Sequence, residues 1–362
     1  MRIVHLLNSY GTNYGTQEVV RNLVQFENKA GYTPEIITSD LSKNTATDIC
    51  KVTRIPTLFT FSRTPFTPSL VRHILAKDAD IFHLHGPLPW FDSVLPLKRA
   101  VDGKSKFIYT IQNLTLETQF LTRVLSLGYQ NTALRIAARI ADVVITPTKA
   151  LVQLLGRIVD PNKTVVIPNG INAEEYTPSY KYSSNILFIG GIKPDKGIHV
   201  LIKAFRNIKK VLDNPTLNIV GAPLWKDDYY LRLRVLTKSD PAIIWHGRVS
   251  EERKKKILGN SGVVVLPSVS LTEGFGLVLL EGMASGKPVV GSNLPTIAEW
   301  IDPSFGLLFQ TGNADKLAQK IVIALRNAEN LGKNGRMYIE KHYNWNLIFE
   351  NYRNVYEILS RQ

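Results

Sequence analysis

Cysteine is almost missing from this chain. Cys50 stands alone among 362 residues, so no internal disulfide can form, and a reducing cytoplasm is the expected setting. Cys50 itself reads as a small buried or half-buried residue. Long apolar runs are also missing, and nothing approaches the roughly 20 residues that a spanning helix needs. The opening MRIVHLLNSYG reads as a short strand and a loop, not as a cationic leader with a cleavage site. Zinc-finger spacing and aromatic RNA-binding signatures are absent, so no nucleic-acid partner is expected. Acidic residues are in deficit, 30 against 44 basic ones, for a net charge of +14. Residues 1–180 carry 19 basic and 14 acidic residues and 181–362 carry 25 and 16, so the second half is the more positive. Such charge suits a nucleoside diphosphate or peripheral contact with an anionic membrane at its inner face. The longest basic run, Arg253 to Lys256, follows Ser250-Glu251-Glu252 and reads as the exposed face of a capped helix.

What is present is an ordinary globular balance, 44% hydrophobic and 20% charged. The length is too great for one core, so two domains are expected. The densest pattern runs from Val263 to Glu299, VVVLPSVSLTEGFGLVLLEGMASGKPVVGSNLPTIAE. A β-branched run stops at Pro267. A turn, Glu273-Gly274-Phe275-Gly276, feeds an apolar helix carrying Glu281, and Gly286-Lys287-Pro288 ends that helix before a second buried strand. Strand, glycine turn, helix and strand in that order make half of a nucleotide-binding α/β unit. The helix start at Phe275 to Leu277 offers free N–H groups and a positive dipole end, suited to phosphate.

The spacing of Glu273 and Glu281, with Pro267-Ser268 before them and Gly286-x-Pro288-Val289-Val290 after, resembles the Glu-x7-Glu signature of family 4 glycosyltransferases. The resemblance implies an α/β GT-B fold: two Rossmann-like domains facing a central cleft, with a C-terminal helix crossing back to the first. On that reading residues 1–180 form the acceptor-side domain, 181–340 the nucleotide-sugar domain and 341–362 the returning helix. Tyr176 to Ser184 is the expected linker. Further matches follow the family's order. Gly190-Gly191-Ile192-Lys193-Pro194-Asp195-Lys196-Gly197 is similar to the diphosphate-gripping Gly-Arg-hydrophobic-x-x-x-Lys-Gly, with Gly191 where the arginine stands and Lys193 as a candidate substitute. The loop after Ile243 to Gly247 makes Arg248 and Val249 candidates for contact with the base. Lys255, with Lys254 or Lys256, is a candidate for the phosphate, and His246 reads as structural.

The first half matches more loosely. Met1 to Leu7 reads as a strand, and Gly15-Thr16-Gln17-Glu18 opens a helix whose Val19, Val20, Leu23 and Val24 face the sheet. The family places a second glycine against the donor diphosphate where this chain has Thr16. The segment Ile55 to Ile74 is aromatic and broken by proline, so it is not one regular element; acceptor binding or half-buried packing would suit it. His83 and His85 share one strand face and could in principle share a metal, but no further ligand cluster is evident beside them. Asp78-x-Asp80 lies at the entry of that strand, and no metal site is expected. The next strand ends in Thr110-Ile111-Gln112-Asn113, where the family commonly has histidine in place of Gln112. Glutamine can bond a sugar hydroxyl but carries no charge. Residues 115–140, with Arg123, Arg135 and Arg139, read as a core-facing amphipathic helix or as a basic apolar lip at a membrane. Pro168-Asn169-Gly170-Ile171-Asn172 resembles the family's closing strand and turn.

The implied activity is metal-independent, hexosyltransferase-type sugar transfer from a UDP-sugar or GDP-sugar to a glycan or lipid-linked acceptor, with retained configuration and no cofactor. Lys196, the helix dipole at Phe275-Gly276 and the backbone at Gly15 and Thr16 would stabilise the leaving diphosphate. Gly190, Gly274 and Leu277 belong to the same donor site. Glu281 would hold ribose hydroxyls, and Glu273 and Gln112 the donor sugar. The departures at Thr16, Gly191 and Gln112 also fit a nucleotide-sugar-binding protein with little transfer activity, or a GT-B epimerase.

Overall fold

The computed structural model describes residues 1–11, 15–42, 48–61, 64–114, 126–181, 183–223 and 228–361. They form two compact units, Met1–Asn169 with Trp345–Gln362, and Gly170–Asn344.

The first unit is built on a seven-stranded parallel sheet in the order β3-β2-β1-β6-β7-β8-β9. Its strands are β1 (Arg2–Leu7), β2 (Thr33–Ser39), β3 (Lys51–Ile55), β6 (Ile81–Gly86), β7 (Lys106–Ile111), β8 (Val143–Thr146) and β9 (Thr164–Val166). The order reverses between β1 and β6, where His5 pairs in register with His83. Helices α1 (Thr16–Lys29), α2 (Leu70–Leu75), α3 (Pro89–Val101), α4 (Arg135–Ile140) and α5 (Lys149–Leu155) belong to this unit. Val19, Val20, Leu23 and Val24 of α1 are all buried, as their spacing predicts. The proline-broken stretch after β3 becomes a hairpin, β4 (Phe59–Phe61) and β5 (Thr64–Phe66), followed by α2. Phe59 stacks on Phe66 at 4.9 Å, and Phe66 lies tilted 4.4 Å from Trp90 of α3. Of the helix expected over 115–140, residues 115–125 with Arg123 lie outside the described residues. The remainder passes through a π-helical turn, Gln130–Leu134, into α4 and buries Leu134, Ala137 and Ala138.

The second unit has a six-stranded parallel sheet in the order β12-β11-β10-β13-β14-β15. Its strands are β10 (Asn185–Ile189), β11 (Thr216–Val220), β12 (Ile243–Gly247), β13 (Val263–Leu266), β14 (Val289–Ser292) and β15 (Gly306–Phe309). The helices are α6 (Ile198–Ile208), α7 (Asp228–Thr237), α8 (Glu251–Asn260), α9 (Leu277–Ala284), α10 (Pro295–Ala298), α11 (Ala314–Arg326) and α12 (Ala328–His342). Strand residues divide between two cores with period two. Ile186, Phe188, Val263 and Val265 pack with Leu201 and Phe205 of α6 and Ile321 of α11. Leu187, Val264 and Leu266 pack with Leu279, Leu280 and Met283 of α9 and Ile339 of α12.

The division between units falls at Asn169–Gly170 rather than near residue 180, because Ala173 and Tyr176 are buried in the second unit's core. The stretch expected as a linker therefore starts inside a packed element; Tyr182 within it lies outside the described residues. The last helix, α13 (Trp345–Ser360), belongs to the first unit. It buries Trp345, Phe349, Tyr352 and Tyr356, and Phe349 lies 5.6 Å from Phe26 of α1.

Candidate functional site

Strand order in the second unit reverses between β10 and β13, and the loops leaving their carboxyl ends meet there. That is the position where open parallel sheets hold ligands. Gly190, at the end of β10, has its N–H on the Val220 carbonyl at 3.0 Å. A one-turn helix, Pro194–Lys196, follows, and Gly197 closes it with φ 66°. A Cβ at Gly197 would lie 1.9 Å from the Pro267 carbonyl oxygen, so only glycine brings this loop against the end of β13. The two loops are also bonded. Val269 N donates to the Asp195 carbonyl at 2.8 Å, and Thr272 Oγ1 donates to the Asp195 carboxylate at 3.2 Å.

Across this junction Lys196 Nζ reaches Glu273 Oε2 at 2.6 Å, and Ser268 Oγ donates to the same oxygen at 2.7 Å. Burial pushes the Glu273 carboxyl up, but the Lys196 ammonium and the Ser268 hydroxyl outweigh it and hold it below the ordinary range. Its carbonyl accepts from Thr296 Oγ1 at 2.5 Å, which holds the turn from α10. Gly274 and Phe275 are buried. The Phe275 ring turns inward onto Trp300, 5.1 Å away and 14° from parallel, and its carbonyl accepts from Trp300 Nε1 at 3.1 Å. Phe275 thus anchors the turn by its side chain. Gly276, with φ 86°, caps α9, and a Cβ there would meet Ile297 and Leu266 at 2.8 Å. Leu277 begins the helix, and Glu281 lies one turn further on.

Glu281 has its own cation. Lys254 Nζ of α8 lies 3.0 Å from Glu281 Oε1 and 2.8 Å from Glu251. Burial pulls the Lys254 ammonium down, but Glu281 and Glu251 outweigh it and raise its pKa. One expectation is corrected here. Arg253 to Lys256 is not wholly a solvated face, since Lys254 shares the inner side of α8 with Ile257 and Leu258. Lys255 pairs with Glu175 at 2.8 Å and lies 5.0 Å from the Tyr176 ring centre. Lys193, the candidate substitute for the arginine, is held by Asp195 at 2.6 Å. Arg248 is exposed and Val249 half-buried after β12, and His246 bonds Asn218 Oδ1 at 2.9 Å.

In the first unit Gly15, with φ 46°, caps α1, and Thr16 is its half-buried first residue. Residues 12–14 of the loop before them lie outside the described residues. Gln112 is buried at the end of β7, where its Oε1 accepts from Asn169 Nδ2 at 3.1 Å. Gln112 Nε2 and Asn169 Oδ1 are both buried without a partner among the described residues. A donor and an acceptor left open on one bonded pair of amides are groups that a hydroxyl can satisfy.

His83 and His85 do have company that spacing did not reveal. His5 from β1 joins them, and the three can bring one ligand atom each within 4.8 Å of one another. Their rings stack, His83 on His85 at 4.0 Å between centres. Their nitrogens are engaged: His5 with Glu27 at 2.8 Å and with His85 at 2.9 Å, His83 with Thr110 at 2.7 Å and with Tyr356 at 3.2 Å. Tyr356 in turn donates to Glu27 at 2.7 Å. An arrangement that strands no N–H has His85 donating to His5 and leaves the His85 Nδ1 lone pair alone, the one atom there without a partner among the described residues. The geometry is that of a hydrogen-bonded relay across the sheet rather than of converging lone pairs. Burial, with the neighbouring imidazoles, drives the His83 and His85 pKa values far down.

Two parallel α/β units, one with a lysine-paired Glu-x7-Glu helix at its switch point, define a nucleotide-sugar type of architecture. A model described as Glycosyltransferase Family 4 matches residues 14–175, and one described as Glycosyl transferases group 1 matches residues 174–338. Taken together these matches run through most of the sequence, and the chain belongs to the family 4 glycosyltransferases. It is 24% identical to O-antigen chain mannosyltransferase C of Escherichia coli over 99% of each chain. It is 26% identical to the phosphatidyl-myo-inositol mannosyltransferase of Mycobacterium leprae, over 84% of this chain and 82% of that one. The fold matches HepE of Anabaena, solved in complex with UDP and glucose, with TM-score 0.80 at 17% identity over 98% of each chain. The fold is therefore GT-B.

Proposed function

We propose that this glycosyltransferase transfers a hexose from a UDP-sugar or GDP-sugar to a hydroxyl of a glycan or lipid-linked acceptor, with retention and without a metal. The observation that carries this is the β10–β13 junction of the second unit. There Lys196, a glycine-capped helix start and two lysine-paired glutamates lie together. Lys196 and the N–H groups at Phe275 to Leu277 suit the leaving diphosphate, and Gly190 lets backbone approach it. Glu281 suits the ribose and Glu273 the donor sugar. The acceptor is assigned to the first unit. The Gln112–Asn169 pair of that unit supports contact with a hydroxyl of the donor sugar. The UDP and glucose in the HepE complex favour a UDP-sugar, and the mannosyltransferase relatives favour glycan or phospholipid acceptors.

Peripheral contact with an anionic membrane is supported by α7. The centre of its outward face is apolar, with Leu231 60% and Val235 77% exposed, and Arg232, Arg234 and Lys238 flank them. Among the described residues no helix is long and apolar enough to cross a membrane.

The test is turnover by purified protein of UDP- and GDP-hexoses with glycan and phosphatidylinositol acceptors. Acceptor-dependent release of nucleoside diphosphate supports transfer. Release without acceptor would point to an isomerising or hydrolytic enzyme. Nucleotide binding without release would favour a sugar-nucleotide-binding protein, a reading that the engagement of Lys193 by Asp195 also favours.

A further inference from the structure

We infer that Lys254 is a positioning residue for nucleoside recognition, acting through Glu281. The inference rests on the reading of Glu281 as the ribose contact and names a residue that the signature motif does not contain. Lys254 comes from a different element, α8, whose start is fixed by Ser250 Oγ accepting from Arg253 N. Helical spacing puts residues 254, 257 and 258 on one face, and Ile257 and Leu258 are buried. The carbon stem of Lys254 therefore follows the core, and its ammonium emerges beside α9. Its side chain is 12% exposed and that of Glu281 15%, so their contact is screened little by water.

Two consequences follow from that contact. The ammonium engages Oε1 and so fixes the plane of the carboxylate that is to receive ribose hydroxyls. A carboxylate free to rotate loses affinity on each hydroxyl it must be ordered to meet. The ammonium also offsets a negative charge in a site that must admit a diphosphate, as Lys196 does for Glu273. Glu251, on the other side of the same ammonium, holds Lys254 in place at 2.8 Å.

The experiment is calorimetric titration of UDP and its 2′-deoxy and 3′-deoxy analogues into the wild-type chain, Lys254→Met, Lys254→Arg and Glu281→Gln. The wild type is expected to prefer UDP over a deoxy analogue by about tenfold. Lys254→Met is expected to bind UDP about tenfold more weakly and to keep at most about a twofold preference for the ribose hydroxyl. Lys254→Arg, which keeps the charge, should recover most of both. A merely structural lysine would lower melting temperature without changing the preference for the hydroxyl. Should Lys254→Met fail to fold, Lys254→Gln carries the same measurement. A neutral variant that keeps the wild-type preference overturns the inference. If instead Glu281→Gln leaves UDP affinity and preference unchanged, the ribose role of Glu281 fails, a different result from a different variant.

Discussion

The two signature glutamates sit on one turn and helix, yet their surroundings differ. Glu273 shares its carboxylate with Lys196 and Ser268, at the loop junction. Glu281 lies further along α9 with Lys254. Glu273→Ala should therefore slow transfer by about a hundredfold, close to 2.7 kcal/mol, with a smaller change in nucleotide affinity. Glu281→Ala should mainly weaken nucleotide binding. Steady-state kinetics with UDP titrations distinguish the two, and equal losses of binding would contradict the assignment. Gly197 makes a different kind of demand, for backbone shape. Any side chain there meets the Pro267 carbonyl and strains a positive φ. Gly197→Ala should cost about 2–4 kcal/mol, seen as a lower urea midpoint, and should impair UDP binding by displacing Lys196. Unchanged stability would show that the loop has another way to pack.

Among elements, the meeting of β1, β6, α1 and α13 governs the pH response of the first unit. His83 and His85 are surrounded by His5, Glu27, Thr110, Tyr352 and Tyr356, all buried. Their folded pKa values are depressed, whereas the unfolded imidazole titrates near about 6.5. Below that value the unfolded chain binds protons that the folded one refuses, so stability falls with pH. The slope approaches about 1.4 kcal/mol per pH unit for each histidine. Urea midpoints should be level above about pH 7 and decline steadily below about pH 6. A midpoint that stays constant down to about pH 5 would rule this out. Cys50, whose thiol is pushed up to about 12 by burial, should stay unreactive across that range.

For the whole molecule, positive charge and the outward face of α7 make a joint prediction. The chain should float with vesicles rich in phosphatidylglycerol but not with pure phosphatidylcholine. A Leu231→Ser, Val235→Ser double variant should lose that association while still binding UDP. Flotation that survives the double change would move the contact elsewhere, and solution light scattering would show whether a second copy covers the helix instead.

Features whose cause is local could be read from the chain itself. The β-branched run of β13, the glycines at 197 and 276 and the Glu-x7-Glu spacing each express a constraint within a few residues, so the fold class and the glycine turn were legible. Partners contributed by other strands and helices were not. Lys196 and Glu273 are 77 positions apart, and they meet only because β10 lies beside β13. Lys254 rather than Lys255 turns to Glu281, since one residue around α8 is the difference between core and surface. His5 joins His83 and His85 because β1 pairs with β6, and no spacing along the chain encodes that pairing. Sequence by itself determined the backbone geometry at the phosphate-type turn, through steric rules that act on neighbouring residues. Tertiary structure decided which charges neutralise which, because sheet order brings together groups that the chain keeps far apart.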